Sequence, residues 1–377
     1  MSIFFRENTD GFPFINGFSF SFSSDSPDKC TIVSLRAKTD NGVVPGVQFK
    51  ITDENDNEIY ISPEYRAVSA DGKEKQWRLP PLMFTSARYK AVFSFSQYTA
   101  FEILSFDAVP ETKNPGTDGV LFDAHLGFFA AAPQNTLPAF ELAGKCGFNG
   151  CITVPKITKD GIFVCIHDDT INNTARTADG KKLTEDIYVK DLTYDELLKY
   201  DFGVYKNPLF RGTKLPLLND YFSVCKKYGM APIFSIHPDF TDVQWLEVKN
   251  MLKAYGLLPS FKIKSNSFKI IEHTFGIFGN EIGGYIFWKH NFEDEYTEKM
   301  SDIGIDTSEC KAIIEIQNKL DDDNLSKDVI EKIKSKGFDV SCLACWQLKT
   351  GDYYKRMISL GVREFNDDYH CSFGLNW

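Results

Sequence analysis

Two histidines and a lysine stand where a catalytic pocket could use them. His125 closes the apolar run Val120–His125, His167 follows the run Ile162–Ile166, and Lys156 lies near the end of Cys151–Ile157. Side chains alternate along a β-run, so Ile152, Val154 and Lys156 share one face. Asp160-Gly161 reads as a two-residue hairpin turn, which places His167 opposite Val154 and beside that face. Two imidazoles at one pocket suit general acid–base work on a phosphodiester. One takes the proton of the nucleophile and the other protonates the leaving oxygen. Lys156 would neutralise the phosphate. Structural histidines and a solvated lysine would give the same pattern, and the pattern by itself leaves both readings open.

Length and composition limit what surrounds these residues. The chain has 377 residues, with 42 Lys+Arg against 52 Asp+Glu and a net charge of −10. That acidity argues against nucleic acid as a partner, because phosphate backbones are bound by basic surfaces. The fractions, 43% hydrophobic and 25% charged, are those of a folded globular protein. No apolar run approaches the roughly eighteen residues of a membrane span. The start, MSIFFRENTDGF, lacks a basic segment followed by an apolar one, which predicts a cytoplasmic chain; a trimmed extracellular chain would read the same. The nine cysteines are odd in number, and Cys151, Cys165, Cys342 and Cys345 sit in apolar runs. They read as buried thiols, with Cys342-x-x-Cys345 as core packing rather than a zinc site.

The pattern changes near residue 112. Residues 1–112 read as an all-β sandwich: Phe18, Phe20 and Phe22 alternate with serines, and short strand-like runs follow at Thr31–Lys38, Val47–Ile51, Glu58–Ser62, Gln76–Leu79, Tyr89–Phe95 and Phe101–Phe106. Pro110–Asp118 is polar and turn-rich and reads as a linker. From residue 119 to 377, apolar runs alternate with amphipathic ones. Eight candidate strands (Val120–His125, Cys151–Ile157, Pro232–His237, Phe261–Ser265, Tyr285–Lys289, Ala312–Ile316, Val340–Trp346 and Arg363–Asp367) predict an α/β fold, a (β/α)8 TIM barrel. Helices are expected at Thr136–Cys146, Asn219–Tyr228, Asp242–Tyr255, Ser326–Lys336 and Tyr353–Leu360. Ile162–Ile166 follows the second strand too closely for a crossover and reads as the return arm of a hairpin.

The segment Asp123–Asp169 resembles the glycerophosphodiester phosphodiesterase family, whose barrels carry H-R-G, P-E-N-T, E-L-D-V, T-x-D-G and H-D in this order. The likeness continues through LTYDELL (Leu192–Leu198), LPLLNDYF (Leu215–Phe222) and GVREFND (Gly361–Asp367), and covers essentially residues 119–377. It implies a barrel of the phospholipase C-like phosphodiesterase type, with His125 and His167 as the catalytic acid–base pair. The family's metal ligands fall on Ile152, Val154 and Ser235, so Ca²⁺ or Mg²⁺ is not expected as a cofactor. Its cationic and acidic site residues fall on Leu126, Gln134, Asn173 and His237. Asn135 and Thr136 remain from P-E-N-T, to shape a loop and cap the first helix. Asp367 and Asp368 match a family T-D position, with Asp367 expected at the pocket rim, and Trp346 would wall the pocket against a glycerol-like group.

Three readings follow. An inactive barrel would bind a glycerophosphodiester, a glycan or another partner. A metal-independent phosphodiesterase, as in similar bacterial phosphatidylinositol-specific phospholipases C, would use His125 and His167. Lys156, His237, Asn135 and Trp346 would then form the substrate-binding set. A substrate hydroxyl would attack phosphorus and give a cyclic phosphate. The third reading gives the β-unit a glycan or protein partner through Phe4, Phe5, Phe12, Phe14, Phe18, Phe20 and Phe22.

Overall fold

The computed structural model describes residues 4–5, 18–23, 30–39, 47–61, 69–71, 74–78, 82–83, 88–95, 101–110, 119–206, 210–237, 240–318, 324–344 and 351–368. Phe12, Phe14, Cys345 and Trp346 lie outside the described residues, as do the side chains of Phe4, Phe5, Phe18, Phe20 and Phe22. The chain folds as two compact units, the first made chiefly of residues 1–113 and the second beginning at Asn114.

The first unit is all β. Its strands are β1 (Phe4–Phe5), β2 (Phe18–Ser23), β3 (Cys30–Thr39), β4 (Val47–Asp53), β5 (Glu58–Ile61), β6 (Ser69–Asp71), β7 (Glu74–Arg78), β8 (Leu82–Met83), β9 (Arg88–Phe95) and β10 (Phe101–Pro110). They form two antiparallel sheets, ordered β1-β2-β9-β4-β5 and β10-β3-β7-β6, with β8 beside β3. In the first sheet Ile51, Ala91 and Tyr89 are buried, whereas Lys50, Arg88 and Lys90 are exposed. This is the alternation of a sheet with one dry face.

The second unit contains β11 (Leu121–Ala124), β12 (Gly150–Thr153), β13 (Pro155–Ile157), β14 (Phe163–Cys165), β15 (Ala231–Ser235), β16 (Lys262–Ser265), β17 (Gly284–Lys289), β18 (Lys311–Gln317), β19 (Asp339–Leu343) and β20 (Glu364–Asp367). Eight of these close a parallel barrel in the order β11-β12-β15-β16-β17-β18-β19-β20, with β20 paired to β11. β13 and β14 form the separate hairpin. The helices are α1 (Leu137–Lys145), α2 (Tyr194–Leu197), α3 (Leu218–Tyr228), α4 (Asp242–Tyr255), α5 (Phe268–Phe278), α6 (Glu295–Asp302), α7 (Lys327–Ser335) and α8 (Gly351–Leu360). Outward-facing strand residues pack against them: Phe122 of β11 stacks on Phe365 of β20 at 5.1 Å, and Tyr354 of α8 meets both edge-on. Tyr221 of α3 donates to Cys151 O (2.5 Å) and accepts from Ile233 N (3.0 Å), so one buried hydroxyl satisfies two strands.

The barrel interior is more highly charged than its apolar runs suggest. Lys262 on β16 donates to Glu364 of β20 at 2.8 Å and lies 3.7 Å from Asp123 of β11. All three are about 95% buried or more. Burial pushes the Asp123 carboxyl up to about 8, with Glu364 adding to the rise and Lys262 opposing it. Burial also works against charge on Glu364, but the Lys262 ammonium outweighs it and holds Glu364 below the usual range. Burial therefore favours the neutral form of Asp123. Its folded pKa lies above its unfolded value, so the folded state keeps an extra proton between pH ~4 and about 8. Stability is expected to fall as pH rises through that window. Asp123→Asn is expected to abolish the fall, read as a Tm difference of several degrees between pH 5 and pH 8 in the wild type alone.

Candidate active site

His125 follows β11 directly. Its backbone N–H donates to Asp367 O (3.0 Å) and so continues the β11–β20 ladder. Its imidazole Nδ1 lies 2.9 Å from Asp368 Oδ1, and the Asp368 side chain is 4% exposed. An ionised carboxylate only accepts, so Nδ1 carries the proton and Nε2 keeps a lone pair in the neutral ring. Asp367, expected at the rim, points the other way. It is fully buried, and its carboxylate accepts from the Tyr354 hydroxyl of α8. Successive strand residues face opposite sides, so only Asp368 shares the inward face with Asn366 and Glu364. Asn366 is 1% exposed, and neither atom of its amide is paired.

The β13–β14 hairpin brings His167 to the site in a register different from the expected one. Pro155 pairs with Cys165, Lys156 with Val164 and Ile157 with Phe163. Thr158 N bonds Ile162 O, which leaves Lys159, Asp160 and Gly161 as a three-residue turn with Gly161 at φ +81°. Ile166, not His167, therefore bonds Val154, through Ile166 N to Val154 O at 2.9 Å. His167 lies one residue beyond, with its side chain 52% exposed and Nδ1 2.7 Å from Asp168 Oδ1. Asn173, where the family has an arginine, donates to the other oxygen of Asp168 at 2.6 Å. The bond from His167 holds the Asp168 carboxyl below its usual range, against partial burial and with help from Asn173 and the Lys156 charge. Each histidine thus pairs Nδ1 with a carboxylate.

Lys156 has its charge committed. Its ammonium donates to Asp169 Oδ1 (2.5 Å) and to the carbonyl of His237 (3.0 Å), tying the hairpin to the end of β15. Burial and the nearby charges of His167, Lys156 and Lys264 push His237 below its usual pKa. His237 is therefore a neutral group at pH 7 and contributes no cation. A cavity of about 320 Å³ opens beside this pair, lined among others by Lys156, Asp169, Tyr188, Lys190 and Phe240.

The positions of the family's metal ligands are dry. Ile152 (1% exposed) and Val154 (3%) join Leu126, Ile233, Ile286 and Ile313 in one apolar cluster, on which Phe129 packs. Ser235 pairs in register with Lys264 of β16. The Lys264 ammonium bonds Glu315 of β18, whose other oxygen accepts from Ser341 of β19 at 3.1 Å. Trp288 of β17 lies 5.7 Å from the Lys264 ammonium. A hard divalent cation needs several oxygen donors, and two aliphatic side chains and a serine beside an ammonium do not fit one. Among the described residues no cluster of three or more His, Cys, Asp or Glu is arranged to hold a metal.

The β11–α1 loop is bent by unusual backbone. Leu126 (φ +54°) and Asn135 (φ +53°) are left-handed, joined by Asn135 N to Leu126 O at 2.9 Å. Gly127 is left-handed too, and a Cβ there would lie 2.7 Å from Ala139 Cβ. Gly127→Ala is expected to cost about 1–3 kcal/mol, measured by urea denaturation. Asn135 is 1% exposed; its carbonyl accepts from Thr153 Oγ1 (2.8 Å) and Val154 N (3.3 Å). It braces the loop against β12 and does not face open space. Thr136 occupies the N-cap of α1 without a side-chain capping bond, because its hydroxyl donates back to Pro133 O at 2.6 Å. Trp346 lies outside the described residues.

A segment that sequence reasoning missed, Tyr205 and Lys206, is tied to the β11–α1 loop. The Tyr205 hydroxyl accepts from Gln134 N at 3.1 Å, and Asp168 acts on it electrostatically. Next to it, Lys206 donates to Phe129 O at 2.7 Å, and Asp368 acts on its ammonium. Both histidine partners therefore lie within electrostatic reach of two adjacent residues.

The second unit is thus a closed (β/α)8 barrel with one histidine–carboxylate pair just past β11 and another just past the β13–β14 hairpin. Residues 125–255 match the model of the glycerophosphoryl diester phosphodiesterase family. A glycerophosphodiester phosphodiesterase of Caldanaerobacter subterraneus is 36% identical over 101 residues, 27% of this chain and 38% of the relative. The bovine glycerophosphodiester phosphodiesterase 1 is 29% identical over 163 residues, 41% of this chain and 46% of the relative. The chain thus spans about half, or less, of the length of these curated relatives. Among solved structures, an Oleispira antarctica phosphodiesterase in complex with sn-glycerol-3-phosphate superposes with a TM-score of 0.55 at 20% identity, over 67% of this chain and 94% of that one. A glycerophosphodiester phosphodiesterase of Agrobacterium tumefaciens gives 0.52 at 17% identity, over 68% and 99%. At such identities these structures establish the fold.

Proposed function

We propose that the barrel cleaves glycerophosphodiesters with His125 and His167 as its acid–base pair and without a divalent metal at the position of Ile152, Val154 and Ser235. The observation that carries this reading is the pairing of each histidine through Nδ1 with a carboxylate, His125 with Asp368 and His167 with Asp168. With Nδ1 as the donor to the carboxylate, Nε2 is the nitrogen of each neutral ring that would take a proton. A hydroxyl attacks phosphorus while one Nε2 takes its proton. The phosphorus–oxygen bond to the leaving alcohol breaks, and the other imidazolium gives that oxygen its proton. A hydroxyl on the substrate itself yields a cyclic phosphate, and water yields the monoester.

The apolar cluster under Phe129 supports a second reading, a barrel of the same family that binds its phosphodiester without cutting it. Phosphorus NMR of glycerophosphodiesters incubated with the full chain in EDTA separates the two. A new cyclic or monoester signal supports cleavage. No new signal in EDTA, and none after adding Ca²⁺ or Mg²⁺, supports binding alone. A signal that needs the added metal defeats the metal-free mechanism.

A further inference from the structure

We infer that Lys206 is the cation that receives the substrate phosphate at this barrel mouth; the inference rests on the reading of the two histidines as the reacting pair. A phosphodiester carries a negative charge that grows in the transition state, and in the absence of a metal a side chain must meet it. Two lysines on the strands around the site are otherwise engaged. Lys156 is held by Asp169 at 2.5 Å, and Lys264 is 4% exposed and bound to Glu315. His237 is neutral at pH 7.

Lys206 is placed differently. Among the described residues its ammonium has one hydrogen-bond acceptor, the Phe129 carbonyl at 2.7 Å, and it lies 4.4 Å from the centroid of the Phe129 ring. An ammonium has three N–H groups, and the Phe129 carbonyl takes one of them. Phe129 packs on the apolar cluster that contains Leu126, Ile152 and Val154, so the charge rests beside that cluster. The charged group facing Lys206 is Asp368, the partner of His125, while Phe129 offers only its ring and carbonyl. On the other side, Tyr205 is tied to Gln134 and feels Asp168, the partner of His167. The ammonium therefore sits on Phe129, within electrostatic reach of the carboxylate that pairs with His125. Burial lowers its pKa to about 8, with Asp368 opposing, so the group is charged at pH 7 and held with little surrounding water.

The test measures binding and turnover in the full chain, with sn-glycerol 3-phosphate and inorganic phosphate as probes. In calorimetry at pH 7, Lys206→Met is expected to weaken binding at least tenfold, and Lys206→Arg to restore most of it. In turnover, Lys206→Met is expected to lower kcat/KM about 100-fold. The wild type should show a basic limb near pH 8 that moves upward in Lys206→Arg. Wild-type affinity in Lys206→Met overturns the inference, as does failure of the wild type to bind either anion. Loss of turnover in His125→Ala and His167→Ala, with Lys206→Met unaffected, removes Lys206 and keeps the histidine mechanism. Absence of turnover in the wild type removes the mechanism, and the calorimetric contrast still decides the anion site. If thermal melts show that Lys206→Met does not fold, Lys206→Arg and the pH dependence of wild-type binding decide: binding that persists unchanged well above pH 8 overturns the inference.

Discussion

His125→Ala and His167→Ala are each expected to lower kcat toward a glycerophosphodiester by about 10³-fold, in EDTA and with the fold intact. The size of the effect follows from the role. Without a proton acceptor the nucleophile stays a neutral hydroxyl, and without a donor the leaving alcohol departs as an alkoxide. Asp368→Asn is the sharper variant. The carboxylate at 2.9 Å fixes the proton on His125 Nδ1. An amide can present its N–H instead and move that proton to Nε2, the atom that must take one. A loss of roughly 10²–10⁴ in kcat with little change in KM is expected. The corresponding loss in Asp168→Asn should be smaller, because His167 is 52% exposed and water can serve its Nδ1. Steady-state kinetics with melting curves checks each variant. Unchanged kcat in both alanine variants would end the acid–base assignment.

The largest expected effect on stability comes from the barrel interior. Lys264 (4% exposed) and Glu315 (1%) form an ion pair that water does not reach. Lys264→Met leaves Glu315 uncompensated, and Glu315→Leu leaves the ammonium so; each is expected to cost about 3–5 kcal/mol. The double variant removes both desolvation penalties and is expected to lie close to the wild type. Urea denaturation of the four proteins gives the coupling directly. Additive losses, with the double variant worst, would show that the pair is not acting as a unit. The same experiment bears on the site. Lys264 is one of the charges that hold His237 below its usual pKa, so Lys264→Met should move the His237 titration upward by NMR.

Much of the barrel is legible in the chain because parallel strands buried on both faces must be short apolar runs, and each of the eight expected runs overlaps a barrel strand. The same logic located His125, since the residue that ends a barrel strand stands at its C-terminal mouth. It also located His167, one residue past the hairpin arm, although it misjudged the pairing. That error has a local cause: Asp160-Gly161 looks like a two-residue turn, but the left-handed Gly161 closes a three-residue one, and a change of one residue in a loop shifts every partner along the arm.

Other features required the folded molecule. Lysines at alternate positions of β16, Lys262 and Lys264, with glutamates in β18 and β20, were a signal in the sequence for charge inside the barrel; which carboxylate meets which ammonium depends on closure of the sheet. Asp367 and Asp368 are equivalent in composition and opposite in direction, and only the strand's pleat decides that Asp368 orients His125 while Asp367 turns to α8. Lys206 belongs to no motif and sits in a loop far along the chain from His125. The sequence by itself determined the residue types, their alternation and therefore the barrel and its two histidines, because those follow from interactions between near neighbours. Only the tertiary structure decided which carboxylates hold the histidines, which lysines are neutralised and where Lys206 comes to rest, because electrostatic partners are set by distance in space.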